Sequence, residues 1–243
     1  FVAREEMFNR IFNHQCHRIQ LSYLLPMSSD DSAPSQRVTV RRMPDRGFFD
    51  RYTLNSILDE GLMAHVGLVT AEGPVVIPMI YGREDQTLYL HGSPASRLLR
   101  DGRSAQLCVT VSLIDGLVVA RSLMHHSMNY RSVVLMGEAS IVDDFDEKTR
   151  ALDVISDHVI PGRVEATRPH HDKEVKGTLV LSMAISEASS KIRTGQPIDD
   201  EEDYLLDTWA GVLPLGIKVG EPIPDPQLKD GIATPEHIAN WSR

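Results

Sequence analysis

Thr87-Leu88-Tyr89-Leu90-His91-Gly92-Ser93-Pro94-Ala95-Ser96-Arg97-Leu98-Leu99-Arg100 passes from a strand pattern into a helix start. Thr87 to His91 is rich in residues that suit a pleated, half-buried strand. Ser93 is a good helix N-cap, and Pro94 fits the first helical position. A helix start presents free backbone N–H groups and a partial positive charge, which favour a phosphate. Ser96 adds a hydroxyl near that end. Arg97 adds a guanidinium able to grip phosphate through paired hydrogen bonds, and Arg100 lies on the same face. A capped surface helix with solvated arginines gives the same pattern, so the spacing alone leaves both readings open. No G-x-x-x-x-G-K-[ST] and no G-x-G-x-x-G occurs in the chain.

Working outward, the neighbouring segments read as strands. Residues 64–70 form an apolar run that ends at Ala71-Glu72-Gly73, and residues 74–81 form another. The turn between them predicts a hairpin. Residues 105–113 and 117–121 flank Asp115-Gly116, a hairpin signal. Further strands are expected over 131–142 and 178–185. Helices are expected over 53–61, capped by Thr53, and over about 146–158, with Asp146 near its start. Many short strands with few helices predict a mainly β fold with α additions, a barrel or a sandwich.

Three polar clusters remain. His125-His126-Ser127-Met128-Asn129-Tyr130-Arg131-Ser132 leads into the strand at 131–142. Adjacent histidines diverge on a strand or helix and make poor joint metal ligands, so no metal site is expected. The donors of Ser127, Asn129, Tyr130 and Arg131 suit a polar ligand, or a loop closed by its own hydrogen bonds. Lys191 and Arg193 alternate as on a strand and share one side. The acidic run Asp199 to Asp203 reads as a solvated loop. Trp209 is either a core residue or an aromatic beside a ligand ring.

Composition narrows the function classes. The 243 residues carry 25 Lys and Arg against 34 Asp and Glu, a net charge of -9. An acidic chain repels nucleic acid and anionic lipid, leaving room only for a local basic patch that takes a small anion. No segment reaches the roughly 18 apolar residues of a membrane helix. Two cysteines, Cys16 and Cys108, make no disulfide framework, and a cytoplasmic, reducing setting is the default. Hydrolases of the G-x-S-x-G type are excluded by the absence of that motif.

Together the segments resemble the FMN-binding split-barrel proteins related to pyridoxamine 5'-phosphate oxidase, in the flavin-nucleotide-binding branch that includes nitroimidazole reductase-like proteins. The resemblance covers about residues 37–215. It rests on Arg41-Arg42-Met43-Pro44-Asp45-Arg46-Gly47, Val75-Val76-Ile77-Pro78, Leu88 to Ser93, His125 to Val133, Lys191 to Gly195 and Trp209 to Val212. It implies a homodimer with FMN in the interface. It places His91, Ser93, Ser96 and Arg97 at the phosphate, and Val76, Ile77 and Pro78 along the ring. It also brings the segment with His125, Ser127, Tyr130 and Arg131 near the cofactor, from either subunit, together with Lys191 and Trp209.

The function so implied is a flavin-dependent oxidoreductase. It would move electrons between a nicotinamide or small substrate and a small acceptor. No catalytic side chain is assigned, because the flavin carries the chemistry. A flavin store or redox sensor without turnover is one alternative. Haem binding, with iron on His91, His125 or His126, is another, and a deazaflavin in place of FMN stays open. The chain lacks the C-terminal Arg and His motifs that pyridoxamine-phosphate oxidation uses. Residues 1–36 are expected to be a flexible or non-native lead-in, with an ordinary-looking start at Met27. Residues 216–243 form a Pro-rich tail expected to be irregular.

Overall fold

Asp50 starts the first helix: its carboxylate accepts from the Thr53 N–H at 2.8 Å. The helix, α1, therefore runs Arg51–Glu60 and not from Thr53. The structure, a computed structural model, describes residues 32–94 and 105–242. The expected helix after Ser93, with Ser96 and Arg97, falls outside the described residues.

The strands are β1 Gly47–Phe48, β2 Ala64–Thr70, β3 Gly73–Met79, β4 Tyr81–Glu84, β5 Thr87–Gly92, β6 Gln106–Val119, β7 Ser127–Ile141, β8 Leu179–Ala184, β9 Glu187–Arg193 and β10 Gly211–Pro214. Helices α2 (Phe145–Val159) and α3 (Asp172–Gly177) come between β7 and β8, and α4 (Glu236–Ala239) lies in the tail. The ladders run β3-β2-β6-β7-β8-β5-β4, with β9 joining β7 to β1 and β10 joining β6. β7 is the seam. Along one edge it pairs with β6, while its other edge pairs with β9 over Tyr130 to Met136 and with β8 over Ala139 to Ile141. The sheet divides there into two halves.

Both halves face one core. Val66, Val109 and Leu135 come from one half and Leu88, Leu90, Leu181 and Met183 from the other, with Leu54, Ile57 and Leu58 of α1 among them. Each such side chain contributes on the order of 1.5–3 kcal/mol by burial. The opposite face of β5 and β8 is buried too, because Tyr89 and Val180 pack on Ala151, Leu152 and Ile155 of α2 and on Val175 of α3. This is a mainly β split-barrel arrangement with α additions.

Two further expectations need correction. Asp115-Gly116 is not a hairpin turn. β6 runs through it as one strand, with a register shift between Ile114 and Gly116, and the chain reverses only after Val119. A tight Asp-Gly hairpin needs positive φ at both residues; neither has it. The pair is a bulge, fixed by partners on both sides: Arg131 on Asp115 and β10 against Gly116. β7 begins at Ser127, so Asn129 and Tyr130 are strand residues and not a loop. The helix expected over about 146–158 is α2, with Asp146 in its first turn and the Asp144 carboxylate capping it on the Glu147 N–H at 2.8 Å. The tail is irregular up to α4, and Trp241 Nε1 donates to the Val159 carbonyl at 2.9 Å, which ties it to the end of α2.

Candidate functional site

Strand register defines the site. Val76, Gly67, Cys108, Met136 and Glu187 form one cross-strand row. Pro78, His65, Thr110, Val134 and Ser189 form the next, followed by Ser112, Ser132 and Lys191, then Ile114, Tyr130 and Arg193. Directly paired residues of adjacent strands share a face. The alternate rows, such as Val66, Val109, Leu135 and Ala188, lie in the core. The rows named first therefore form the outward face of β3, β2, β6, β7 and β9.

That face is open where its counterpart on β5 and β8 is covered. His65, Pro78 and Ser112 are exposed, and Val76 is 64% exposed. Its middle is paved with small side chains: Gly67, Cys108, Thr110, Ser112, Ser132 and Ser189. Gly67 is the informative one. A Cβ there would meet only ordinary contacts, 3.5 Å to the Cys108 carbonyl and 3.6 Å to Val76 Cγ2. Neither backbone conformation nor the described packing demands glycine there. Glycine inside a strand often marks the close approach of a ligand or another backbone.

The face is apolar at one end, at Val76 and Pro78, and cationic at the other, at Lys191 and Arg193. Arg193 is 7% exposed. It donates to Asn129 Oδ1 and to the carbonyls of Gly195 and Gln196, the latter two at 3.3 Å. Burial, and then the nearby charge of Arg46, push its pKa below the ordinary guanidinium value, with Tyr130 opposing.

The sequence-selected residues separate on this frame. Val76, Pro78, Tyr130 and Lys191 come together on the open face, while Ile77 turns inward onto the core. His91 lies near the end of β5 beside Val180, on the other half of the barrel, and Ser93 comes just after the strand on the surface. The His91 Nδ1 is buried with no hydrogen-bond partner among the described residues, and burial lowers its pKa. Arg131 points to the inner side and is saturated by carboxylates, Glu60 Oε1 at 2.8 Å and Asp115 Oδ1 at 2.7 Å. His125 Nε2 lies 3.3 Å from Asp200 Oδ2, and His126 Nδ1 2.8 Å from the Ser122 carbonyl. Ser127 opens β7 opposite Val118.

Trp209 is 68% exposed with its ring over Gly211, so it is no core residue. The acidic run is not wholly solvated either. Asp199 is buried and accepts from the Arg121 N–H at 2.9 Å and from its guanidinium at 3.0 Å.

The pyridoxamine 5'-phosphate oxidase family profile matches residues 50–192. The flavocytochrome Anf3 from Azotobacter vinelandii is 43% identical, with a TM-score of 0.82 over 87% of this chain and 99% of its own. The chain belongs to the pyridoxamine 5'-phosphate oxidase family. An FAD and heme binding protein from Mycobacterium smegmatis is 36% identical, with a TM-score of 0.76 over 79% of this chain and 95% of its own. A Bacteroides thetaiotaomicron protein assigned to 5-nitroimidazole antibiotic resistance is 27% identical, with a TM-score of 0.51 over 60% and 86%. No curated protein matches. Among the described residues no helix is long and apolar enough to cross a membrane.

Sequence reasoning did not single out His65 and Gly67, which the register sets on the outward face. A glycine in an otherwise apolar strand is a readable signal of close approach. Its placement on the open face needed the register.

Proposed function

We propose that this chain binds a flavin nucleotide against the open face and serves as a flavin-dependent redox protein. It would move electrons between a nicotinamide or small substrate and a small acceptor. The observation that carries the reading is Gly67, where a Cβ would meet only ordinary contacts, on the outward face of β2 between Val76 and Cys108. A planar conjugated ring fits such a surface, with Val76 and Pro78 as apolar support. When bound, the flavin supplies hydride and electron acceptance. The residues of this chain hold it, exclude water and set the local charge. FMN is the nucleotide expected, its phosphate on the segment from Ser93 to Arg97, and a twofold dimer would cover the face. The names of the two most similar relatives quoted above, a flavocytochrome and an FAD and heme binding protein, support a flavin and leave FMN against FAD to measurement.

A second reading, haem in addition to flavin, is favoured by His91. His125 and His126 are engaged by Asp200 and Ser122, whereas the His91 Nδ1 has no hydrogen-bond partner among the described residues. Burial keeps its imidazole neutral, the form that ligates iron.

The visible spectrum of the purified protein tests both readings. Yellow flavin bands, with FMN or FAD identified after heat release, are expected; a Soret band that His91→Ala abolishes would establish haem. Colourless protein that takes up neither added FMN nor added FAD would overturn the flavin reading. Steady-state NADPH oxidation separates an enzyme from a flavin store.

A further inference from the structure

The outward face does not end at Tyr130. Past the register shift, Leu117 of β6 pairs with Met128 on one side and with Leu213 of β10 on the other. Met128 lies two residues from Tyr130 on β7, so this row shares the outward side. With Ile114, the partner of Tyr130, these side chains make an apolar patch, each of them 37% to 53% exposed. The chain carries the pattern on, because Leu215, Ile217 and Val219 follow Leu213 at alternate positions and are exposed as well. The Leu215 N–H reaches the Asp115 carbonyl at 3.0 Å; from Gly216 to Pro224 no backbone hydrogen bond within the chain occurs among the described residues. The tail is held again at α4, through Trp241.

Composition sets this surface apart from an ordinary loop. Thr208 to Ile217 holds no charged residue, in a chain that is 24% charged. Single exposed apolar side chains are normal, whereas a contiguous patch marks a contact. Charge depletion distinguishes the core of a permanent interface, while transient interfaces are about as polar as the rest of a surface. At about 150–200 Å² for a large side chain, the patch together with Trp209, Leu215, Ile217 and Val219 offers on the order of 700 Å². A stable dimer buries about 800 Å² on each partner. Most soluble oligomers are closed assemblies of one chain, twofold dimers first, so a second copy is the occupant that fits. β10 and the arm after it lie beyond residue 192, where the family match ends.

We propose that β10 and the arm from Leu215 to Val219, with Ile114, Leu117 and Met128, form a twofold contact in which the C-terminal extension of each copy clasps a second copy of this chain. The clasp deepens the dimer of the proposed function by naming the segment outside the matched core that holds it. It is a matter of assembly and is read whether or not a flavin is bound.

Sedimentation equilibrium of the full chain tests it. A dimer is expected, and Leu213→Asp and Ile217→Asp should each raise its dissociation constant tenfold or more, because each puts a charge into an apolar contact. Tyr52→Asp, at an exposed apolar residue of α1, should leave that constant unchanged. Far-UV circular dichroism checks the fold of each variant. A second measurement puts no charge in the contact. Trp209 and Trp241 are the two tryptophans, so Trp241→Phe leaves Trp209 as the sole emitter. Its quenching by acrylamide should rise as the dimer is diluted to monomer. Monomer at every concentration overturns the contact and hands the surface to a different protein. A dimer that both arm substitutions leave unchanged overturns it too, as does quenching of Trp209 that is equal in dimer and monomer. Colourless protein that dimerises through the arm keeps the clasp and sinks only the flavin reading.

Discussion

Arg131 Nη2 donates to Asp115 Oδ1 at 2.7 Å, across the point where the β6–β7 register shifts. The same guanidinium holds Glu60 at the end of α1, so one side chain ties the bulge to the helix. Its partners outweigh burial and raise its pKa. Arg131→Met leaves two carboxylates facing each other with no cation between them. Breaking a buried pair costs about 3–5 kcal/mol, and partial solvent access here reduces that to about 2 kcal/mol. Urea unfolding should show that loss, with little change in flavin affinity per folded molecule. Full stability with a large loss of flavin affinity would instead make Arg131 a ligand contact.

Gly82 of β4 lies under α2. A Cβ there would meet Ile155 N and Cα at 2.7 Å and Val154 C at 2.9 Å, all helix backbone. Gly82→Ala must push the helix off the sheet, and overpacking of this kind costs about 1–3 kcal/mol. The midpoint of thermal unfolding should fall accordingly. An unchanged midpoint would mean that α2 sits more loosely than these distances imply.

Strand existence was legible in the sequence because apolar alternation is local: 64–70 and 178–185 match β2 and β8 to within a residue. Asp115-Gly116 misled for the same reason. Its turn signal is local, whereas what holds it, Arg131 on Asp115 and Asn129 and Pro214 paired with Gly116, is distant. Of the residues expected along a flavin ring, Val76 and Pro78 were readable as strand residues, yet their place on one face with Tyr130 and Lys191 is a product of register across four ladders. Trp209 was weighed as core or ligand contact from type alone, and no local cue announces that β10 leaves it on the surface.

Burial holds the His91 pKa below its ordinary 6.5. The unfolded chain therefore takes up the proton first as pH falls. Stability that is fully present above pH 6.5 declines below it, because protonation favours the unfolded state. The dependence of unfolding free energy on pH should flatten in that window for His91→Phe. Titration of the imidazole by NMR should give a pKa below the model-peptide value, and a value above it would contradict the buried environment.

Arg97 isolates the phosphate from the rest of the flavin. Arg97→Ala removes a charge-assisted pair worth on the order of 1.5–3 kcal/mol, so FMN affinity should fall about tenfold to a hundredfold. Riboflavin has no phosphate and should bind as before. Equal weakening of both would assign Arg97 to the fold, and weakening of neither would make it a solvated surface arginine.

Gly67 gives the most direct test of the face itself. Its neighbours leave ordinary van der Waals room for a Cβ, and its φ lies outside the left-handed region. Gly67→Ala should therefore fold normally and gain about 0.4 kcal/mol or more from reduced chain entropy in the unfolded state. Gly67→Leu adds a side chain that can only project outward, between Val76 and Cys108. It should leave the unfolding midpoint within a few degrees of wild type and lower flavin affinity at least tenfold, because a planar ring can no longer lie flat on the strand. Riboflavin and FMN should suffer alike, since the obstruction is at the ring and not at the phosphate. That is the opposite of the pattern expected for Arg97→Ala, so the two variants together separate ring from phosphate. Were Gly67→Leu to bind both flavins as wild type does, the flavin would lie elsewhere, and the open face would be a surface for another polypeptide.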